Sequence, residues 1–174
     1  RAQVPSPTDD FPNFTAAENR GKALFIQSRA NGGLGCGSCH GTEVQVTGEA
    51  ANIGLDRGND EDAGAFNTYG TPASLSAFKV PSLRNIALTA PYMHDGRFDN
   101  LREVINHYRR GVQPHPALDP RLTVNNQLGG QPARLNLNRQ DEEALMAFLH
   151  TLTDEVLLSD EKFSDPFAAS NQAR

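Results

Sequence analysis

The sequence predicts an all-α fold, a few helices joined by long irregular loops. Three observations carry that prediction. Two stretches open with helix-capping signatures, Thr15-Ala16-Ala17-Glu18 and Asn100-Leu101-Arg102-Glu103. The segment after Asn100, and another after Asn138, repeat apolar residues at the three- and four-residue spacing of a helix rather than the alternation of a strand. Between the helical segments lie Gly-, Pro- and Asn-rich runs that break regular structure. With 174 residues the chain is expected to form one domain with a real core.

Residues 1–14 carry prolines at 5, 7 and 12 and adjacent aspartates at 9 and 10, and read as a linker or tail. They lack the apolar run of a signal peptide, so either a signal was removed ahead of Arg1 or the chain is a piece of a longer protein. Thr15 then serves as N-cap, with Glu18 completing a capping box. The helix it opens runs to about Ser28 and turns Leu24 and Phe25 inward. Asn31-Gly32-Gly33-Leu34-Gly35 breaks it.

Residues 41–78 show little periodicity and read as a long irregular excursion with room for one short hairpin. A loop of that length is uncommon unless it is functional or wraps round something. Asp60-Glu61-Asp62 inside it could hold a cation, although so short an acidic run is ordinarily a solvated loop. Pro81, Pro91 and Gly96 make residues 79–96 extended and turning rather than helical.

Asn100 caps the next helix, with Glu103 at the third position. Leu101, Val104, Ile105 and Tyr108 then fall on one apolar face, which points Tyr108 inward and leaves His107 off the stripe. Gly111 closes the helix. Residues 113–135 form a second excursion, with prolines at 114, 116 and 120. Asn138 caps the last helix, whose first turn holds Asp141, Glu142 and Glu143, where the helix dipole favours them. Ala144, Leu145, Phe148, Leu149 and Leu152 form its buried stripe, with Met146 as ordinary packing. Residues 159–174 read as a polar surface tail, which leaves 15–158 as the domain.

The chemistry concentrates in Cys36-Gly37-Ser38-Cys39-His40, which contains both cysteines of the chain. C-x-x-C-H is the attachment signature of a c-type haem. Two thiols at this spacing can add to the two vinyl groups of one porphyrin, and the histidine that follows is carried beneath the ring to bind iron. Three other readings compete. Zinc would need His40 and a remote ligand where structural sites usually recruit a second close pair. A thioredoxin-like redox pair would sit in a βαβ setting, and a plain disulfide leaves His40 unexplained. A helix ending just before C-x-x-C-H is the arrangement of a small cytochrome c. The expectation is therefore a cytochrome c-like domain around one covalent haem c, with Cys36 and Cys39 as anchors, His40 as proximal iron ligand, and the first and last helices crossing.

Composition agrees. The apolar fraction is 37% and the mean hydropathy −0.53, and a buried haem adds apolar surface that side chains need not supply. A net charge of −5 gives no reason to expect nucleic acid or an anionic membrane surface as partner. No apolar run is long enough for membrane insertion. Thioether attachment of haem normally takes place outside the bacterial cytoplasm, so a periplasmic or otherwise exported location is expected.

The run VPSLRNIALTAPYMHDGRFDNLREVINHY, with CGSCH upstream and DEEALMAFLHTLTDE downstream, resembles the C-terminal haem domain of bacterial di-haem cytochrome c peroxidases and MauG-type enzymes. The likeness runs from about Thr15 to Phe167. It implies a protein of two cytochrome c-like domains with one haem each. The N-terminal haem meets hydrogen peroxide, and the C-terminal haem is six-coordinate and relays electrons. It further implies a calcium ion between the domains, held partly by backbone carbonyls that here belong to Thr89 and Pro91. The family's distal ligand lies fourteen residues after the histidine of P-Y-x-H-D-G; counted from His94, that position is Tyr108, as in the MauG type. The chain has one C-x-x-C-H, so the peroxide-binding domain is not in it, and the implied partner is a second haem domain or a redox protein.

Tyr108 is the preferred distal ligand, with Met93 its rival and a vacant, water-bound or histidine-bound iron as the remaining alternatives. A phenolate favours Fe(III), whereas a thioether raises the potential. Tyr108 could equally be a core tyrosine, and Met93 a gap-filler beside the ring. His94 is expected to bond a propionate or loop backbone, Arg84 and Lys79 could pair with propionates, and His107, His115 and His150 read as surface residues. A stand-alone single-haem carrier, a single-haem peroxidase and a zinc or disulfide-stapled binding module remain as alternatives.

Overall fold

The crossing of the two long helices organises the molecule. In this computed structural model, which describes residues 9–41, 48–58 and 62–164, α1 spans Ala16–Ile26 and the last long helix Arg139–His150. Gly21 sets how closely they approach. A Cβ there would stand 2.0 Å from Ala144 O and 2.8 Å from Phe148 Cβ, so only a residue without a side chain fits. One turn further on, Phe25 packs on Phe148 with ring centroids 5.3 Å apart. Leu145, Leu149, Leu101, Ile105, Leu83 and Tyr92 complete the surrounding core. Each such side chain contributes roughly 1.5–3 kcal/mol by leaving water.

The caps form as the sequence requires. Thr15 Oγ1 accepts from Glu18 N at 3.3 Å while Glu18 accepts from Thr15 N at 2.6 Å. Asn138 Oδ1 accepts from Asp141 N at 2.8 Å. Asp141 and Glu142 of that helix are nonetheless buried, because Arg20 pairs with the first and Arg102 and Arg109 with the second.

Residues 9–14 do not hang free as a linker would. Phe11 N donates to Asn19 Oδ1 at 2.8 Å, Asn19 Nδ2 donates back to Phe11 O at 3.1 Å, and the buried Lys22 ammonium stands 3.6 Å over the Phe11 ring.

The fold is mostly helical with irregular loops, and it includes a small sheet. β1 (Ala50–Ala51) pairs antiparallel with β2 (Phe78–Lys79), Ala50 opposite Lys79 and Ala51 opposite Phe78. This ladder closes the first excursion, which also contains the short α2 (Phe66–Tyr69). Asp60 and Glu61 of the acidic run lie outside the described residues; Asp62 caps its own turn, accepting from Gly64 N at 2.8 Å.

α3 (Leu101–Asn106) begins at the Asn100 cap and then widens into a π-helical turn over His107–Gly111. The long helix Arg139–His150 is α4, and α5 (Glu155–Ser159) follows it at the end of the expected domain. Val156, Leu158 and Phe163 are exposed there. The second excursion is irregular, yet it buries residues near its middle, Leu118 and Thr123 both at 0% exposure.

Candidate haem site

The C-x-x-C-H segment is docked on the end of α1. Leu34 N donates to Leu24 O at 2.7 Å and Gly35 N to Gln27 O at 2.9 Å. Gly35 has φ 75°, a left-handed conformation that turns the chain into a single 3-10 turn over Cys36–Ser38. Within it, Cys39 N and His40 N donate to Cys36 O at 3.1 and 2.9 Å. Both thiols and the imidazole are thus displayed from one turn. The His40 ring lies 6.3 Å from Phe25 in centroid distance, so the helix crossing supports it directly.

The two thiols are free, not joined to each other. Burial pushes the Cys36 thiol up to about 12, and burial is also the main reason that Cys39 rises. Reactive redox cysteines have the opposite shift, toward thiolate at neutral pH. Among the described residues no cluster of three or more His, Cys, Asp or Glu side chains suits a metal ion, which leaves the zinc reading without further ligands.

Tyr108 comes from the π turn that follows α3. Its ring is half-buried, yet desolvation holds its phenol well above the usual tyrosine range, with smaller contributions from Cys36 and Cys39. Its hydroxyl has no hydrogen-bond partner among the described residues.

The other sequence candidates are more scattered. Met93 is half-buried with φ 73°, a backbone strained for a side-chain-bearing residue. His94 stacks flat on Phe78, centroids 3.6 Å apart and planes 9° off parallel. Arg84, Thr89 and Pro91 are exposed along the chain leading to it, and Lys79 Nζ donates to Val80 O at 3.2 Å. His150 is at the surface, but His107 and His115 are not: they are 5% and 3% exposed. His115 Nδ1 meets Asn52 Nδ2 at 3.0 Å and Ala117 N at 2.9 Å. Backbone and amide partners from distant loops make burial of these polar rings affordable, which hydropathy along the chain does not reveal.

A cleft of about 460 Å³ lies between the first excursion and residues 94–97, walled by Ile53, Ser76, Phe78, His94 and Arg97 among others. Neither the C-x-x-C-H residues nor Tyr108 line it. The cysteine turn and Tyr108 therefore lie outside this cleft.

Arg121 was not singled out by sequence. Its guanidinium donates to Ser38 O at 3.3 Å, inside the motif, and to Glu49 and Asp119 at 3.0 and 2.7 Å. Arg29 donates to Arg121 O at 2.9 Å and Thr123 O at 3.0 Å. Together they clamp the second excursion over the cysteine turn. Two arginines in unrelated loops give no signal until the loops meet.

The cytochrome c family profile matches residues 18–153. The chain belongs to the cytochrome c family. Within it the chain is a member of the di-haem peroxidase and MauG group. It is 35% identical over 140 residues to the methylamine utilization protein MauG of Methylorubrum extorquens, covering 80% of this chain and 35% of that one. It is 30% identical over 151 residues to the cytochrome c551 peroxidase of Pseudomonas aeruginosa, covering 83% and 36%. Among solved structures it resembles a MauG-like protein associated with microbial copper homeostasis, with TM-score 0.70 and 35% identity over 88% of this chain and 52% of that chain. The chain thus spans between about a third and a half of the length of these relatives.

A cytochrome c domain binds haem c covalently. The residues at the site fit that group: two desolvated free thiols and an imidazole on one turn, and a phenol on the π turn whose hydroxyl has no hydrogen-bond partner among the described residues.

Proposed function

We propose that this cytochrome c domain relays electrons within a di-haem oxidoreductase of the peroxidase and MauG kind, in the part played by the C-terminal half of those proteins. The orphaned Tyr108 hydroxyl is the observation that carries the reading. Desolvation, more than any other contribution, holds that phenol protonated, so a phenolate forms there only where a cation stands against it. When bound, one covalent haem c supplies a one-electron Fe(III)/Fe(II) couple. Cys36 and Cys39 would anchor it through thioethers, and His40 and Tyr108 would be its iron ligands.

An anionic oxygen donor favours the ferric state, so the choice of Tyr108 over Met93 assigns the domain a low potential. Phe25 and Phe148 keep water from the imidazole side. Arg84 is the propionate partner. The exposed 88–91 stretch faces the second haem domain, the partner whose iron meets peroxide. There the Thr89 and Pro91 carbonyls supply part of a calcium site that the second domain completes. Among the described residues no helix is long and apolar enough to cross a membrane. The chemistry of thioether attachment assigns the protein to the periplasm or another exported location.

The test is a pair of ferric optical and EPR spectra, of the haem-loaded chain and of Tyr108→Phe. The variant is expected to lose the phenolate signature and to shift its reduction potential upward. An unchanged spectrum in Tyr108→Phe, or a far-red thioether band that disappears in Met93→Leu, would give the distal position to Met93 or leave it open. Rapid high-valent spectra on adding peroxide to this chain alone would favour a single-haem peroxidase instead.

A further inference from the structure

His107 stands directly before Tyr108, and nothing in the reading above uses it. Its ring is 5% exposed and Nε2 lies 2.9 Å from Ile53 O. A carbonyl only accepts, so Nε2 carries the hydrogen and donates. The ring meets Tyr108 edge-on, centroids 5.2 Å apart at 72°, and leans on Phe98 at 6.0 Å. Gly111 closes over the other nitrogen, where a Cβ would stand 3.2 Å from Nδ1.

The carbonyl it grips belongs to a fixed loop. Gln113 N donates to Gly54 O at 2.8 Å, Asp119 N to Asn52 O at 3.0 Å, and Gly54 N to Asn52 Oδ1 at 2.9 Å. The backbone it belongs to is not α-helical. Val112 N donates to His107 O at 3.0 Å, five residues back, which is the hydrogen bond of a π turn. Such turns are rare, occur mostly as single insertions and cluster at functional sites.

We propose that His107 is the positioning residue for Tyr108: by tying the π turn to the Ile53 carbonyl, it fixes the direction in which the phenol points. This rests on Tyr108 being the distal iron ligand. Released from the tie, the turn would relax toward α-helical bonding and the phenol would turn away from the direction it now takes.

Ferric spectra and midpoint potentials of five haem-loaded proteins decide it: the unaltered chain, Tyr108→Phe, His107→Gln, His107→Asn and His107→Phe. The glutamine amide nitrogen can take the place of Nε2 on Ile53 O, so His107→Gln should keep the parent spectrum and potential. Asparagine is one methylene too short and phenylalanine has no donor. Both should move the ferric spectrum toward that of Tyr108→Phe and raise the potential, with the mass of the attached haem unchanged. If the phenylalanine variant fails to fold, His107→Asn decides by itself. Parent spectra in the folded asparagine and phenylalanine variants, even with lowered melting temperatures, would overturn the positioning role and leave the Tyr108 ligand standing. An unchanged spectrum in Tyr108→Phe would instead remove the ligand and the positioning role together.

Discussion

Gly21 shows how much one absent methyl can decide. Alanine would raise helix propensity by about 1 kcal/mol, but its Cβ has to enter space 2.0 Å from Ala144 O. Backbone on the facing helix cannot step aside alone, so the helices must part along the whole crossing. Crowding of this kind costs about 1–3 kcal/mol or more, and here it wins. Gly21→Ala is expected to lose about 2 kcal/mol net in urea unfolding, with the Phe25–His40 contact disturbed as well. A variant as stable as the parent would mean that Gly21 does not set the approach. The contrast with Cys36-Gly37-Ser38-Cys39-His40 is instructive. That motif is legible in the sequence because all its chemistry is carried within five residues. Gly21 looks like a helix-weakening accident until Ala144 lies across it, and His107 looks like a surface histidine until Ile53 O meets its ring.

Helix starts were legible because a cap is a local arrangement: Thr15 with Glu18, Asn100 with Glu103, Asn138 with Asp141. The π turn was not, because Leu101, Val104, Ile105 and Tyr108 also fit an unbroken α-helix. The widening shows in the Val112 N to His107 O bond and in which side chain turns inward: His107 is buried and Tyr108 half-buried, the reverse of the α-helical expectation. The excursions were legible as irregular, but not the ties that hold them. Arg97 is the hub of one. It donates to Asp56 Oδ2 at 2.7 Å, to Asp95 Oδ2 at 2.6 Å and to Leu55 O at 3.2 Å. These hydrogen bonds hold both carboxyls below the usual aspartate range. Near an unfolded aspartate pKa of about 3.9 the unfolded chain therefore binds more protons, so this part of the stability is present above that pH and lost as pH falls through the folded values. The groups are part-exposed and solvent screens them, so Arg97→Gln should cost only about 1 kcal/mol or less at pH 7. Urea midpoints of parent and variant should converge as pH drops below about 3.9. A gap of the same size at pH 3 and pH 7 would show that the two carboxyls are not held ionised by Arg97.

At the scale of the molecule two kinds of support are visible. The α1–α4 crossing rests on apolar contact, Phe25 on Phe148 with Leu145 and Leu149 beside them. The cysteine turn, the π turn and loop 52–58 rest instead on side-chain to backbone bonds from Arg29, Arg121, His107 and Asn52. The haem that Cys36, Cys39 and Tyr108 would hold is expected to fill the space between the cysteine turn and the π turn. Interiors tolerate voids poorly, because atoms lining a gap lose their contact energy. A large flat apolar group filling that space supplies what a chain of 37% apolar residues does not. The two regions should therefore respond differently when the group is withheld. Expressed where haem is not attached, or as Cys36→Ala with Cys39→Ala, the chain should be colourless and keep slow amide exchange along Ala16–Ile26 and Arg139–His150. Exchange should rise at least about tenfold, roughly 1.4 kcal/mol of lost local protection, in residues 36–40, 52–58 and 107–111. Equal loss in both regions would mean that helix crossing and haem site fold as one unit, and that the apolar core does not stand without the group it surrounds.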